Sequence, residues 1–201
     1  YEQFGSGLVF RTYENKGLGV DNAMDGVRIK YNILNSIDIK SFIGTSRAYL
    51  EYSDGIVRGI DFETNLFELL ALEKSTNLIL GSSFVSRFQK DNNPKFNLPQ
   101  NVGVYGLRSN LISGNFNYYL EYVHKYNDPA GSIADNSNNY ASGNAIKTSL
   151  TYFQKGLGFS FDAHRVDNME FRSERQQSKE YIINYIPTLS KQHSYTLLAF
   201  Y

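Results

Sequence analysis

The chain has 201 residues, its 20 Lys and Arg balance its 20 Asp and Glu, and it contains no Cys and no Trp. Because a chain without net charge offers no basic surface to the phosphate backbone, we exclude nucleic acid as a partner. The absence of Cys excludes disulfide frameworks, Cys-ligated zinc and a thiol nucleophile.

Aromatic content and side-chain alternation predict an all-β protein. Tyr and Phe make up 15% of the residues, a density that favours strands. No uninterrupted apolar run of about 18 residues is present, which excludes a membrane-spanning helix. A two-residue period predicts eleven strands and no helix. In chain order, the predicted strands are 2–12, 26–33, 37–45, 57–70, 76–89, 101–110, 115–126, 143–154, 157–166, 180–188 and 194–201.

The predicted connections alternate in length. An up-and-down order places consecutive connections at opposite ends of a sheet, and outer-membrane barrels have short periplasmic turns and longer extracellular loops. We therefore expect the short connections on the periplasmic side and the long ones on the cell surface. The short connections are predicted at 34–36, 71–75, 111–114, 155–156 and 189–193, and the long ones at 13–25, 46–56, 90–100, 127–142 and 167–179.

Each predicted strand has one apolar and one polar face. Within residues 116–123 the even positions are Phe, Tyr, Leu and Tyr, whereas the odd positions are Asn, Tyr, Glu and Val. Alternation alone does not say which face points inward, but strands of about ten residues match the length that crosses hydrocarbon when tilted. Soluble up-and-down barrels usually close at about eight strands. Tyr and Phe also recur near the predicted strand ends, as an aromatic girdle at the membrane interfaces would require: Tyr13, Tyr126, Phe153, Tyr181 and Tyr195. The sequence therefore predicts an antiparallel up-and-down transmembrane β-barrel segment of about eleven strands, with lipid against its apolar face.

The polar face predicts a lumen with charges of both signs. Such a lumen indicates no ion selectivity, because single-sign rings are absent. We expect Asp61 and Glu63 to be neutralised by Arg28, Lys30, Lys40 and Arg58 inside the barrel. The lumen-facing charged candidates are Arg28, Lys30, Asp38, Lys40, Asp61, Glu63, Arg87, Glu121, Lys147, Asp162 and Arg165.

No stretch predicts catalysis or metal binding. Ser6 lies between two glycines but lacks the Gly-x-Ser-x-Gly order and the following helix of a nucleophile elbow. His124, His164 and His193 lie far apart, and residues 127–139 lack the order of an EF-hand. We predict no catalytic residues, no metal site and no cofactor.

Two segments also carry a resemblance to a known family. GSGLVFRTYENKGLGVDNAMDGVRIKY at 5–31 and RGIDFETNL at 58–66 resemble an uncharacterised family of Bacteroidota outer-membrane β-barrel proteins. The resemblance implies a location in the bacterial outer membrane and a barrel architecture. It implies no reaction and no functional residues.

Together these patterns favour a non-enzymatic outer-membrane protein. We expect a transporter or receptor, or a membrane-embedded subunit of an envelope complex whose long loops contact other envelope proteins. The alternative is a soluble β-barrel or β-sandwich that binds an apolar or carbohydrate ligand. Because single-chain bacterial barrels have even strand numbers, residues 1–201 are predicted to be one barrel segment that is incomplete at both ends.

Overall fold

A computed structural model describes residues 2–15, 20–48, 51–72, 75–90, 101–128, 141–173, 182–184 and 193–200. For 13–15, 20–22, 48, 141 and 193–200 only the backbone is described. These residues form one large antiparallel sheet and one small sheet that packs against it.

The small sheet pairs β1 (Gln3–Phe4) with β2 (Phe10–Arg11). A single helical turn, α1 (Leu66–Leu69), lies between two strands of the large sheet. The large sheet has ten strands: β3 (Tyr13–Asn15), β4 (Val20–Ile33), β5 (Ile37–Ala48), β6 (Glu51–Asn65), β7 (Thr76–Phe88), β8 (Asn101–Ser113), β9 (Phe116–Asp128), β10 (Ala141–Gln154), β11 (Leu157–Asp167) and β12 (His193–Phe200).

The all-β, up-and-down prediction is confirmed. Each of β3 to β12 pairs antiparallel with the next strand along the chain, and β3 and β12 form the two edges of a sheet that is not closed. Short turns at 34–36, 114–115 and 155–156 join strands at one end, which we call the turn end, and α1 lies in the connection between β6 and β7 at the same end. At 155–156 Gly156 supplies the positive φ, 86°, that a two-residue hairpin turn needs. At the opposite end, the loop end, β7 ends at Phe88 and β8 begins at Asn101, and β9 ends at Asp128 and β10 begins at Ala141. No helix in the described ranges is long and apolar enough to cross a membrane.

Several strands are longer than predicted. β4 begins at Val20, β5 ends at Ala48 and β6 begins at Glu51, so the long connections predicted at 13–25 and 46–56 are wrong. In these strands the apolar alternation ends before the backbone pairing does. Residues with polar side chains toward the loop end also adopt the extended conformation, so the pairing continues beyond the pattern. The strand predicted to reach residue 70 ends at Asn65, because residues 66–69 form the single helical turn α1.

The N-terminal residues do not form a strand of the large sheet, contrary to the prediction for 2–12. Gly5 and Gly7 have φ values of 55° and 94°, which let the chain reverse so that β1 pairs with β2. The segment lies flat against one face of the large sheet, here called the inner face. Its apolar side chains are almost completely buried there: Phe4, Leu8, Val9 and Phe10.

The inner face receives this segment with small and β-branched residues. Val9 packs on Gly106, where a Cβ would lie 2.6 Å from the Val9 side chain. Phe10 stacks on Phe42 of β5 with ring centroids 4.4 Å apart, and Phe4 contacts both rings. The buried apolar residues on the inner face of the sheet are Val57, Val85, Val102, Val104, Val123, Ala145 and Val166. The apolar core therefore lies between the large sheet and a segment of the same chain.

A second segment, at 169–173 and 182–184, completes the inner layer. Asn184 donates to the carbonyls of Leu8 and Met169 at 3.0 and 2.7 Å and accepts from the Phe171 amide at 3.0 Å. The predicted strand at 180–188 is thus wrong over 182–184, which make only an isolated bridge between Arg172 and Ile182. We call residues 2–12, 169–173 and 182–184 together the plug.

Replacing Gly106 by Val should release the N-terminal part of the plug, because the new side chain would occupy the space of Val9. Since the chain lacks Cys, a Leu8→Cys reporter provides a single thiol. Maleimide should label this thiol slowly in the parent chain and at least several-fold faster with Gly106→Val. Ser109→Val, on the opposite face of the same strand, is the control; equal acceleration by both variants would contradict the docking.

Candidate functional site

The outer face of the large sheet, opposite the plug, is apolar. Large apolar side chains that a soluble sheet would cover are exposed here, with Val27, Ile29 and Tyr31 more than 60% exposed. The even-numbered residues predicted to be apolar on β9 lie on this face. Further exposed members are Ile43, Ile60, Phe62, Leu80, Phe84, Tyr105, Leu107, Leu111, Phe116, Tyr118, Tyr122 and Ile146.

Charged residues on the outer face lie near the loop end. Asp25, Arg58 and Arg165 are examples, so the lumen assignment of Arg165 was wrong: its register partner Ile146 is an exposed outer residue. On β8 no outer position carries a charge.

Tyr126, predicted in an aromatic girdle, lies on the outer face of β9 with its ring 6.4 Å from that of Tyr105. Of the other predicted girdle residues, Phe153 is exposed at the turn end, Tyr181 lies outside the described residues, and the side chains of Tyr13 and Tyr195 are not described.

Arg108 is the centre of the polar network on the inner face. Its guanidinium holds Asp61 with two hydrogen bonds, of 2.8 and 3.1 Å, and Glu63 with bonds of 2.9 and 3.2 Å. Ser83 donates to Asp61 at 2.6 Å and accepts from Arg108 at 2.8 Å. The side chains of Asp61 and Arg108 are 2% and 7% exposed, so each buried charge has its counterpart in direct contact.

Glycine makes room for this network. Gly81 lies opposite Arg108 in the register, and a Cβ at Gly81 would lie 2.5 Å from the guanidinium. The alignment of β6, β7 and β8 thus brings Asp61, Ser83 and Arg108 together although they are distant in sequence.

Glu121 connects the inner face to the plug. Its carboxylate accepts from the Ser6 amide at 3.2 Å and from the Tyr119 hydroxyl at 2.8 Å. A Cβ at Gly5 would lie 2.3 Å from a Glu121 oxygen, so a larger residue at position 5 would displace the Glu121 carboxylate from its present place. Glu121 was a predicted lumen residue, and it lies on the inner face as expected.

Arg28 and Lys30 bind the plug and do not neutralise Asp61 or Glu63. They contact the Glu2 carboxylate at 2.8 and 3.3 Å. Burial alone would raise the pKa of Glu2, but hydrogen bonds and positive charge from Arg28 and Lys30 outweigh it and hold the pKa below its usual value. The contribution of this contact to docking is therefore present at neutral pH and is lost as the pH falls through that lowered pKa.

The other predicted lumen residues have different environments. Lys40 lies 3.9 Å from Asp61, and Asp38 accepts from Asn32 at 2.8 Å. Arg87 is buried and donates to the Arg172 carbonyl in the plug at 2.8 Å. Arg58, expected inside, instead lies on the outer face and donates to Ser86 at 3.0 Å.

Sequence reasoning missed Arg108 and Lys125. Lys125 is 1% exposed and its ammonium donates to Asp128 and to the Glu170 carbonyl, both at 2.7 Å. A signal for Arg108 existed: Tyr105 and Leu107 alternate with Gly106 and Arg108, so the face opposite the aromatic residue includes the arginine. Lys125 lies two such two-residue steps after Glu121, so the same alternation predicts that both side chains lie on one face of the strand.

Beside Gly5 and Ser6 of the plug the inner face has an open depression of about 400 Å³, which we call the polar cavity. Lys147 and Asp162, both predicted lumen residues, contribute to its wall. No cluster of three or more His, Asp or Glu side chains suited to a metal ion occurs in the described part of the chain. The cavity is lined by Gly5, Ser6, Glu63, Arg108, Asn110, Asn117, Tyr119, Lys147, Ser149 and Asp162.

Comparison with known proteins gives one match. A family model described as a family of unknown function, DUF6029, matches residues 1–201. The chain belongs to the DUF6029 family. Neither the curated proteins nor the solved structures contain a match to it. For this DUF6029 chain, function must therefore be argued from its two faces, its plug and its cavity.

Replacing Arg108 of the DUF6029 chain by Met should lower the free energy of unfolding by about 3 to 5 kcal/mol, because it leaves the buried Asp61 carboxylate without its main partner. Adding Asp61→Asn should recover part of the loss. Urea titration followed by circular dichroism measures both effects. Arg58→Met, at an exposed outer arginine, is the control. A loss no larger than that of the control would contradict the role of Arg108.

Proposed function

We propose that this chain is part of a bacterial outer-membrane β-barrel whose outer face contacts lipid and whose lumen is filled by its own plug. It would act as a transporter or receptor, or as a membrane-embedded subunit of an envelope complex. No catalytic activity is proposed.

The observation that carries the proposal is the distribution of side chains between the two faces. Soluble proteins rarely expose contiguous apolar patches beyond a few hundred Å², and larger patches mark contact with lipid or with another protein. Here the exposed apolar residues extend across β4 to β11, while the charged pairs around Arg108 lie inside. A barrel in lipid requires this arrangement, with an apolar band outside and polar groups inside.

Strand length supports the same proposal. β7, β8 and β9 each have 13 residues, which at about 3.4 Å per residue gives strands about 41 Å long. At a tilt of about 40° such a strand covers about 30 Å, the thickness of the hydrocarbon layer. In lipid no strand edge stays unpaired, so the proposal requires the edges of the sheet to pair in the assembled protein.

The plug argues for regulated or receptor-like use of the lumen over a permanently open pore. Phe4, Val9 and Phe10 fill the inner face at mid-strand with apolar contacts, and an open porin would keep that volume aqueous. The resemblance of residues 5–31 and 58–66 to Bacteroidota outer-membrane proteins supports this location.

Replacing Leu150 by Arg should reduce insertion into lipid vesicles, because a cation on the lipid side near the bilayer midplane costs about 2 to 4 kcal/mol. The neighbouring change Ser149→Arg, on the inner face beside the cavity, is the matched control and should insert as well as the parent chain. The yield of folded protein is measured by the heat-dependent shift in electrophoretic mobility after dilution from urea into vesicles. Equal yields for the two variants, or a parent chain that stays soluble without lipid or detergent, would reject the proposal.

The proposal also predicts the orientation of the sheet. An epitope tag at Asn138, which lies between β9 and β10 in the sequence and outside the described residues, should bind antibody on intact cells. A tag at Lys155, in a turn at the turn end, should need the outer membrane to be opened first. Labelling of Lys155 alone on intact cells would show that the orientation is inverted.

A further inference from the structure

The polar cavity has the size of a small-molecule site. Its volume of about 400 Å³ lies within the range of ligand pockets, about 300 to 1,000 Å³. Gly5 and Ser6 of the plug form part of its wall. Residues of β6, β8, β9, β10 and β11 form its walls, which makes the cavity a feature of the assembled sheet.

Two charged side chains of the cavity wall lie outside the Arg108 network. Arg108 is already held by Asp61 and Glu63. Within the described ranges Lys147 makes no ion pair, and its ammonium lies 6.0 Å from the Tyr119 ring centre. Asp162 on the neighbouring strand carries the opposite charge, and within the described ranges its carboxylate accepts a 3.4 Å hydrogen bond from Ser160 and makes no ion pair. One cation and one anion thus remain to meet a ligand, so the cavity favours neither an anion nor a cation.

The polar side chains of the cavity wall include both hydrogen-bond donors and hydrogen-bond acceptors. The side-chain oxygen of Asn110 is buried and has no hydrogen-bond partner among the described residues. A buried acceptor without a donor is costly, so a ligand that supplies a donor there gains affinity. Lys147 supplies donors, Asp162 supplies acceptors, and Asn117 supplies both. The ligand must therefore donate and accept at closely spaced positions.

We propose that this cavity binds an uncharged, hydroxyl-rich ligand of one or two sugar rings. Every hydroxyl of such a ligand donates and accepts, which matches the mixture of Asn110, Lys147 and Asp162. Lys147 donates to a hydroxyl and Asp162 accepts from one, so neither side chain requires a charged group on the ligand. The site depends on the inner face and the plug, and it does not depend on what covers the outer face.

Calorimetric titration of the full chain tests this assignment. The protein is kept in a detergent without a sugar head group and titrated with glucose and with maltose, then with diglycine and succinate as zwitterionic and anionic comparisons. We expect heat of binding with at least one sugar and none with the two comparisons. Asn110→Ala should weaken sugar binding about tenfold, because it removes a buried hydrogen-bonding group.

Ser109→Ala is the matched control, since Ser109 neighbours Asn110 on β8 but lies on the outer face. It should leave sugar affinity unchanged, and circular dichroism should show that both variants keep the parent fold. No heat with either sugar, equal affinity in the Asn110 variant, or tighter binding of diglycine would overturn the assignment. Vesicle insertion of the same preparation separates the two proposals: a chain that inserts but binds no sugar loses the cavity assignment alone, and a chain that binds sugar but does not insert loses the membrane proposal alone.

Discussion

The packing of the N-terminal segment on the inner face is the contact on which the rest of the structure depends. A strand directs its side chains alternately to two faces, and one of these faces is covered by Phe4, Val9 and Phe10 of the same chain. The apolar residues of the opposite face, such as Ile29 and Leu107, consequently have no partner within the described residues. An internal core and an exposed apolar band in one sheet are both consequences of this docking.

Small residues make the docking possible. Gly106 leaves space for Val9, and Gly59 leaves space for the rings of Phe4 and Phe42. Larger side chains at these positions would hold the segment away from the sheet, and the inner valines would lose their apolar contacts. The glycines of the inner strands, which weaken a strand in isolation, thus have a packing function in this protein.

Polar contacts distinguish two regions of the inner face. The plug covers the middle of the inner face through apolar contacts and binds Arg87 and Lys125 nearer the loop end, whereas the turn end carries the pairs around Arg108. Glu121 lies between the apolar region and the Arg108 network and binds the Ser6 backbone. Because buried charges are tolerated only with partners, this network keeps the inner face polar near the turn end and leaves room for the cavity. Lipid contact outside and recognition of a polar ligand inside are compatible functions of one such sheet.

The sequence by itself determined the all-β class, the up-and-down order and which residues share a face. These properties follow from a two-residue period and from turn residues, both of which act over a few neighbouring positions. The same reasoning grouped Glu121, Lys147 and Asp162, which lie together on the inner face of the sheet. Residues 2–12 were assigned to the large sheet because an apolar segment has the same local pattern whether it joins a sheet or packs against one.

Only the tertiary structure decided which charges meet. Asp61 and Arg108 are 47 positions apart and meet through the registers of two intervening strand pairs. Glu2 binds Arg28 because the N-terminal segment folds onto the inner face, 26 positions before its partner. Long-range pairing of this kind depends on the alignment of whole strands and on the position of the plug, and a local sequence pattern does not contain that information.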